Sequence, residues 1–274
     1  MKRKRPKNRE LIEAVNNASF MASVLVFTVL LLGSIYFSEL LPMMRLGNVF
    51  MHGYRYSAFR NVMAGPVLLF AVPILCTFPY TTAFLGEKES GEIHFFLTRT
   101  TKWRYTLRKL RAVALSGGLV PVAGIALSFF VVFFIVGGME QPQIPQTISE
   151  DSYGIVAPAV QAVDWTVTLR MDIGVMTLRF FLFGAFWALI GAFSATVFRS
   201  RFMAYATPFV FYYLMIILAE RYVRDFFLLD PRNWVLGTGY WPGGGWGVLL
   251  FFIEIILLAS VLFGYSIWRR LSDG

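Results

Sequence analysis

The chain has 274 residues, of which 57% are hydrophobic and 15% charged, against roughly 45–50% and about 25% in ordinary soluble domains. That balance argues against a water-soluble globule, and the apolar residues run in blocks long enough to cross a hydrocarbon layer of about 30 Å as helices. The formal charge of +9 does not point to nucleic acid, because the basic residues collect beside the apolar blocks.

The chain opens MKRKRPKNRE, followed by Leu11, Ile12, Val15 and Ser19 on one helical face and Arg9, Glu10, Glu13 and Asn16 on the other. Two readings fit residues 1–19: an amphipathic helix on an anionic lipid surface, or a solvated basic tail that sets topology. The next block, Phe20–Leu41, is too long for a signal-peptide core and no small-x-small site follows it, so it reads as a retained first span. Further spans are expected near Val62–Leu85, Ala112–Val136, Ile173–Phe198, Phe202–Ala219 and Gly247–Trp268. The predicted fold is thus all-α, a single polytopic domain over residues 20–274 with about six transmembrane helices. Arg199, Ser200 and Arg201 separate the fourth and fifth blocks, and suit a tight helical hairpin.

Lysine and arginine mark the cytoplasmic side. They cluster in the N-terminal tail, in the 86–111 loop, at Arg199 and Arg201, and at Arg269 and Arg270. Both termini are therefore expected in the cytoplasm. Outer loops are expected at 42–61, 137–172 and 220–246. The second is acidic and proline-containing, which suits irregular chain. The third interleaves Phe226, Phe227, Trp234, Tyr240, Trp241 and Trp246 with glycines, and fits either an aromatic belt or a re-entrant hairpin.

Within the spans, Pro66, Pro73 and Pro79 each remove a backbone donor and favour a bend; they read as a kinked pathway wall or as prolines tolerated by packing. Glu254 is the only acid well inside an apolar block. Similar depth in the fourth and sixth spans suggests that it forms an ion pair with Arg179. Cys76, the single cysteine, reads as a buried apolar residue. His52 and His94 fall on opposite sides and form no metal site. The sequence contains no GxxxxGK[ST] run for nucleotide phosphates, and no residue is assigned a catalytic role.

The 86–111 loop carries the most pattern. Ser90 is a candidate N-cap, Glu92 puts charge in a first turn, and Ile93, Phe96 and Leu97 share one face. A short helix from Ser90 to Leu97 is expected, its apolar face resting on lipid or fitting a partner's groove.

The acidic run Glu87-Lys88-Glu89-Ser90-Gly91-Glu92, the basic stretch ending Arg108-Lys109, and Asp230-Pro231-Arg232-Asn233-Trp234 before the last span resemble the ABC type 2 permease family. The chain departs from that family at Leu97-Thr98-Arg99-Thr100-Thr101-Lys102, where a proline is usual. The resemblance implies a membrane subunit of a bacterial exporter in the plasma membrane, with Glu87, Glu89, Ser90, Gly91, Glu92, Ile93, Phe96 and Leu97 forming a coupling helix. Its implied partners are two copies of a separate ABC ATPase subunit, which would bind ATP and Mg, and a second copy of this permease or a related one. This chain itself would hold no cofactor. An ion-gradient transporter using Glu254 and a non-transporting membrane adaptor or sensor are the alternatives.

Overall fold

The computed structural model describes residues 9–45, 53–98, 100–139, 165–223, 226–237, 241 and 244–272. Every regular element among them is helical. The elements are α1 (Arg9–Val15), α2 (Ala18–Ile35), α3 (Leu41–Arg45), α4 (Tyr54–Met63), α5 (Pro66–Leu75), α6 (Ala83–Glu89) and α7 (Glu92–Leu97), then α8 (Lys102–Ile135), α9 (Trp165–Phe198), α10 (Arg201–Arg221), α11 (Pro231–Leu236) and α12 (Gly245–Ser272). A π-helical turn, Tyr36–Leu40, joins α2 to α3. Five helices are long and apolar enough to cross a membrane, and a sixth span results if the bent pair α4–α5 is counted as one. This is the architecture of a multi-pass membrane protein.

The helices reach beyond the apolar blocks. The first span runs as Ala18–Arg45, and α8 starts at Lys102, with its basic first turns already helical. Asn17 caps α2 by accepting from the Ser19 amide at 3.3 Å, and Thr101 caps α8 from an extended backbone. The expected loop 42–61 contains α3 and α4, and Asp172 lies on α9 instead of in a loop. Most of the acidic outer segment, 140–164, lies outside the described residues.

The expected continuous helix Val62–Leu85 is corrected. Here α4 and α5 meet at a 58° bend, and α5 ends at Leu75. Each proline has a distinct place in this outcome. Pro66 stands at the first position of α5, where a missing amide costs nothing. Pro73 lies inside α5 two residues before its end, and Pro79 falls in the turns that follow.

The core is centred on α8 and α9, which form the most extensive helix pair. Their backbones come together at glycines: a Cβ on Gly117 would stand 2.3 Å from that of Ala188, and one on Gly184 would stand 2.8 Å from the Gly117 carbonyl. Small residues at a helix crossing permit this approach where no hydrophobic drive between helices operates. The α9–α10 hairpin forms as expected. It turns at Arg199, whose φ of 52° is uncommon for a non-glycine residue, and Ser194 Oγ closes it by donating to the Met203 carbonyl at 2.8 Å.

Candidate functional site

After Leu75 the chain passes through turns to Thr82 and enters α6, whose later residues face α8. The Glu87 carboxylate pairs there with the Lys109 ammonium, and Glu87 Oε2 accepts from Tyr105 Oη at 2.6 Å. Lys109 also donates to Tyr80 Oη at 2.9 Å. Its Nζ lies 4.9 Å from the centre of the Tyr80 ring and 5.7 Å from that of Tyr105. Glu10 of α1 completes the group, with Oε2 3.9 Å from Lys109 Nζ.

Lys109 is only 1% exposed. Desolvating an ion costs several kcal/mol, which a close counter-ion, hydrogen bonds and aromatic ring faces offset here. The second carboxylate is less well served: Glu10 Oε2 is buried and makes no hydrogen bond. Burial pushes the Glu10 carboxyl above its usual range, with the Lys109 charge opposing that shift. The sequence pattern had put Glu10 on a solvated face. In the structure it turns inward onto α8, while Ile12 is 55% exposed.

The same end of the bundle gathers the other basic segments. Arg201 at the start of α10 pairs with Glu89 on α6, Lys102 Nζ donates to the Leu271 carbonyl at 2.9 Å, and Arg270 donates to the Val197 carbonyl at 2.9 Å. Asn17 reaches the Pro79 carbonyl at 3.3 Å. The N-terminal helix, the 86–111 segment, the α9–α10 turn and the end of α12 are therefore neighbours.

The expected helix Ser90–Leu97 is corrected at its start. Ser90 closes α6, its hydroxyl donating to the Glu87 carbonyl at 3.3 Å. Gly91 at φ 74° starts α7, a left-handed backbone that glycine adopts without penalty. The face Ile93, Phe96 and Leu97 is turned inward. Ile93 is buried, and Phe96 and Leu97 pack against the core, Phe96 with its ring 6.1 Å from that of Tyr105. The aromatic side chains left in the open are Phe95, 74% exposed, and Trp103, 66% exposed.

At the opposite end of α9, Asp230 caps α11 by accepting from the Arg232 amide at 3.0 Å. Its carboxylate and that of Glu220 both hold the Arg232 guanidinium, and these bonds, Asp230 first, raise its pKa above the ordinary arginine range. Trp234 inserts into the core against Phe183, Phe186, Phe251 and Phe252. The expected Arg179–Glu254 ion pair does not form among the described residues. Arg179 donates to the Val235 carbonyl of α11 at 3.3 Å, whereas Glu254 lies on the exposed face of α12 beside Ile253 and Leu257. Equal depth along two helices says nothing about the directions in which their side chains point.

Sequence reasoning missed Glu10, Tyr80, Tyr105 and Lys109. The only signal was a lysine one helical turn from a tyrosine, next to a strongly apolar block. What the group offers is mechanical. Buried charge ties α6 to α8 and brings α1 against them, so the 86–97 segment is fixed to one of the two 34-residue helices of the core. No cluster of three or more metal-binding side chains occurs among the described residues. Comparison with protein-family models, curated proteins and solved structures returns no match.

Proposed function

We propose that this chain is the membrane-spanning permease subunit of an ATP-binding cassette exporter in a bacterial plasma membrane. In this reading both termini are cytoplasmic, two ATPase subunits dock on the 86–111 segment, and a second permease copy or a related permease completes the transport unit. The observation that carries it is the Lys109–Glu87 joint. It is what a segment pushed from outside the membrane needs if the push is to reach a spanning helix. Closure of the ATPases would press on α6 and α7, and the joint would pass the motion to α8. The exposed rings of Phe95 on α7 and Trp103 in the first turn of α8 supply contact area of the aromatic kind enriched at protein interfaces. The gradient-driven alternative gains no support from Glu254, which faces outward from the bundle.

The test is co-purification with a co-expressed ABC ATPase subunit from the same genome, and stimulation of its turnover in nanodiscs. Phe95→Asp with Trp103→Asp should abolish both while leaving the permease monodisperse, since neither side chain supports the core. Normal assembly and normal stimulated turnover in that double variant would remove the docking claim. Substituting Ile93 or Phe96 is a poorer test, because both pack inside the protein.

A further inference from the structure

Between α2 and the bend of α4–α5 lies a groove of about 640 Å³, within the range of small-molecule sites. Its lining is graded. Val29, Leu30 and Val67 line one end, while Ser38, Asn61 and Glu39 line the other. From Val29 to Glu39 the groove follows α2 for ~15 Å at helical rise. Two local features shape it: the break at Gly65-Pro66 interrupts one wall, and the π-helical turn Tyr36–Leu40 carries Glu39 in the other.

Glu39 is the charged group at the polar end. Its Oε2 accepts from Tyr54 Oη at 3.4 Å and its Oε1 from Asn61 Nδ2 at 3.5 Å, both long for hydrogen bonds. No cation pairs with it among the described residues. A carboxylate weakly held at the head of an apolar channel is complementary to a positive charge on an apolar chain.

We propose that this groove binds a single-chain amphiphile with a cationic amine headgroup, its chain along Val29, Gly33 and Val67 and its ammonium on Glu39. Placed in the first span, Glu39 stands some 21 residues from the start of α2, ~31 Å along the helix axis. That is the full depth of a hydrocarbon core. The headgroup would thus sit at the membrane surface opposite the basic end of the bundle, with the chain in the hydrocarbon. The inference needs no ATPase, and equilibrium binding reads it without turnover.

The experiment measures saturable binding of radiolabelled dodecylammonium to the purified full chain in zwitterionic-lipid nanodiscs, with dodecyl sulfate and dodecyl maltoside as competitors. The expected result is a saturable site from which the sulfate does not displace the amine. Glu39→Gln should weaken dodecylammonium about tenfold, the scale of one charge-assisted hydrogen bond, without changing competition by the maltoside. Gly33→Leu should remove the site, and it should fold, because a Cβ at Gly33 meets nothing within 4 Å. Unsaturable partition identical in wild type and Gly33→Leu would overturn the proposal, as would a wild-type groove blocked by a second copy. Unchanged affinity in Glu39→Gln would overturn the cationic assignment even if Gly33→Leu lost binding.

Discussion

Lys109 is enclosed by two carboxylates and two tyrosines, so removing its charge strands the Glu87 carboxylate, which is only 17% exposed, without its counter-ion. Lys109→Met is expected to cost about 3–5 kcal/mol, and Lys109→Met with Glu87→Gln should recover much of the loss, because the second change removes the stranded charge. Thermal unfolding of the purified protein, compared across the two single variants and the double, checks this. Glu10 contributes with the opposite sign. Its folded carboxyl holds a proton more tightly than the unfolded one, so stability from this group is present in acid and is lost as pH rises through the raised value. Glu10→Gln should therefore raise Tm at neutral pH and leave it unchanged at about pH 4, near the ordinary carboxylate value; a gain that is the same at both pH values would remove this explanation. Arg179 and Glu254, being unpaired with each other, should behave independently. The losses of folded yield in Arg179→Gln and Glu254→Gln are expected to add, and recovery in the double variant would restore the ion pair.

Helix packing at the centre rests on the absence of side chains. Gly117→Val would drive a methyl group into Ala188 and into the backbone of α5's exit at Cys76, and overpacking of this kind costs about 1–3 kcal/mol. A fall in Tm with Gly117→Val, against little change with Gly138→Ala in open space, is the expected pattern. The α4–α5 element shows how local chemistry and packing divide the work. Pro66 sets where α5 begins, but the 58° bend depends on what each half packs against: α4 lies on α9 and α2, whereas α5 lies on α2 and α10. In α7, periodicity found the apolar face correctly and misjudged its use. The face Ile93, Phe96 and Leu97 seals the helix to its own bundle, leaving Phe95 for any partner.

Across the whole molecule, α8 provides the ruler for a topology test. Its 34 residues span ~51 Å, well beyond a hydrocarbon core, so Thr98 and Gly138 lie beyond opposite ends of it. With Cys76 replaced, a cysteine at Gly138 should react with an impermeant thiol reagent on intact cells and one at Thr98 should not; the reverse result would invert the proposed orientation. Among the described residues, the 86–111 segment, the α9–α10 turn and the end of α12, grouped by their lysines and arginines, share one end of the bundle, tied by Arg201–Glu89 and by the carbonyl contacts of Lys102 and Arg270; the basic run at residues 1–8 lies outside the described residues. Composition and block length alone determined that the chain is helical and apolar enough for repeated crossings, because a spanning segment must satisfy its backbone internally and hide few charges. The α9–α10 hairpin was legible for a similarly local reason, a three-residue polar break. Only the tertiary structure decided which side chains meet. Glu10, Glu87 and Lys109 are far apart in sequence, and Glu254, expected at the depth of Arg179, faces outward from the bundle; rotation about a helix axis, fixed by packing against neighbours, leaves no trace in hydropathy.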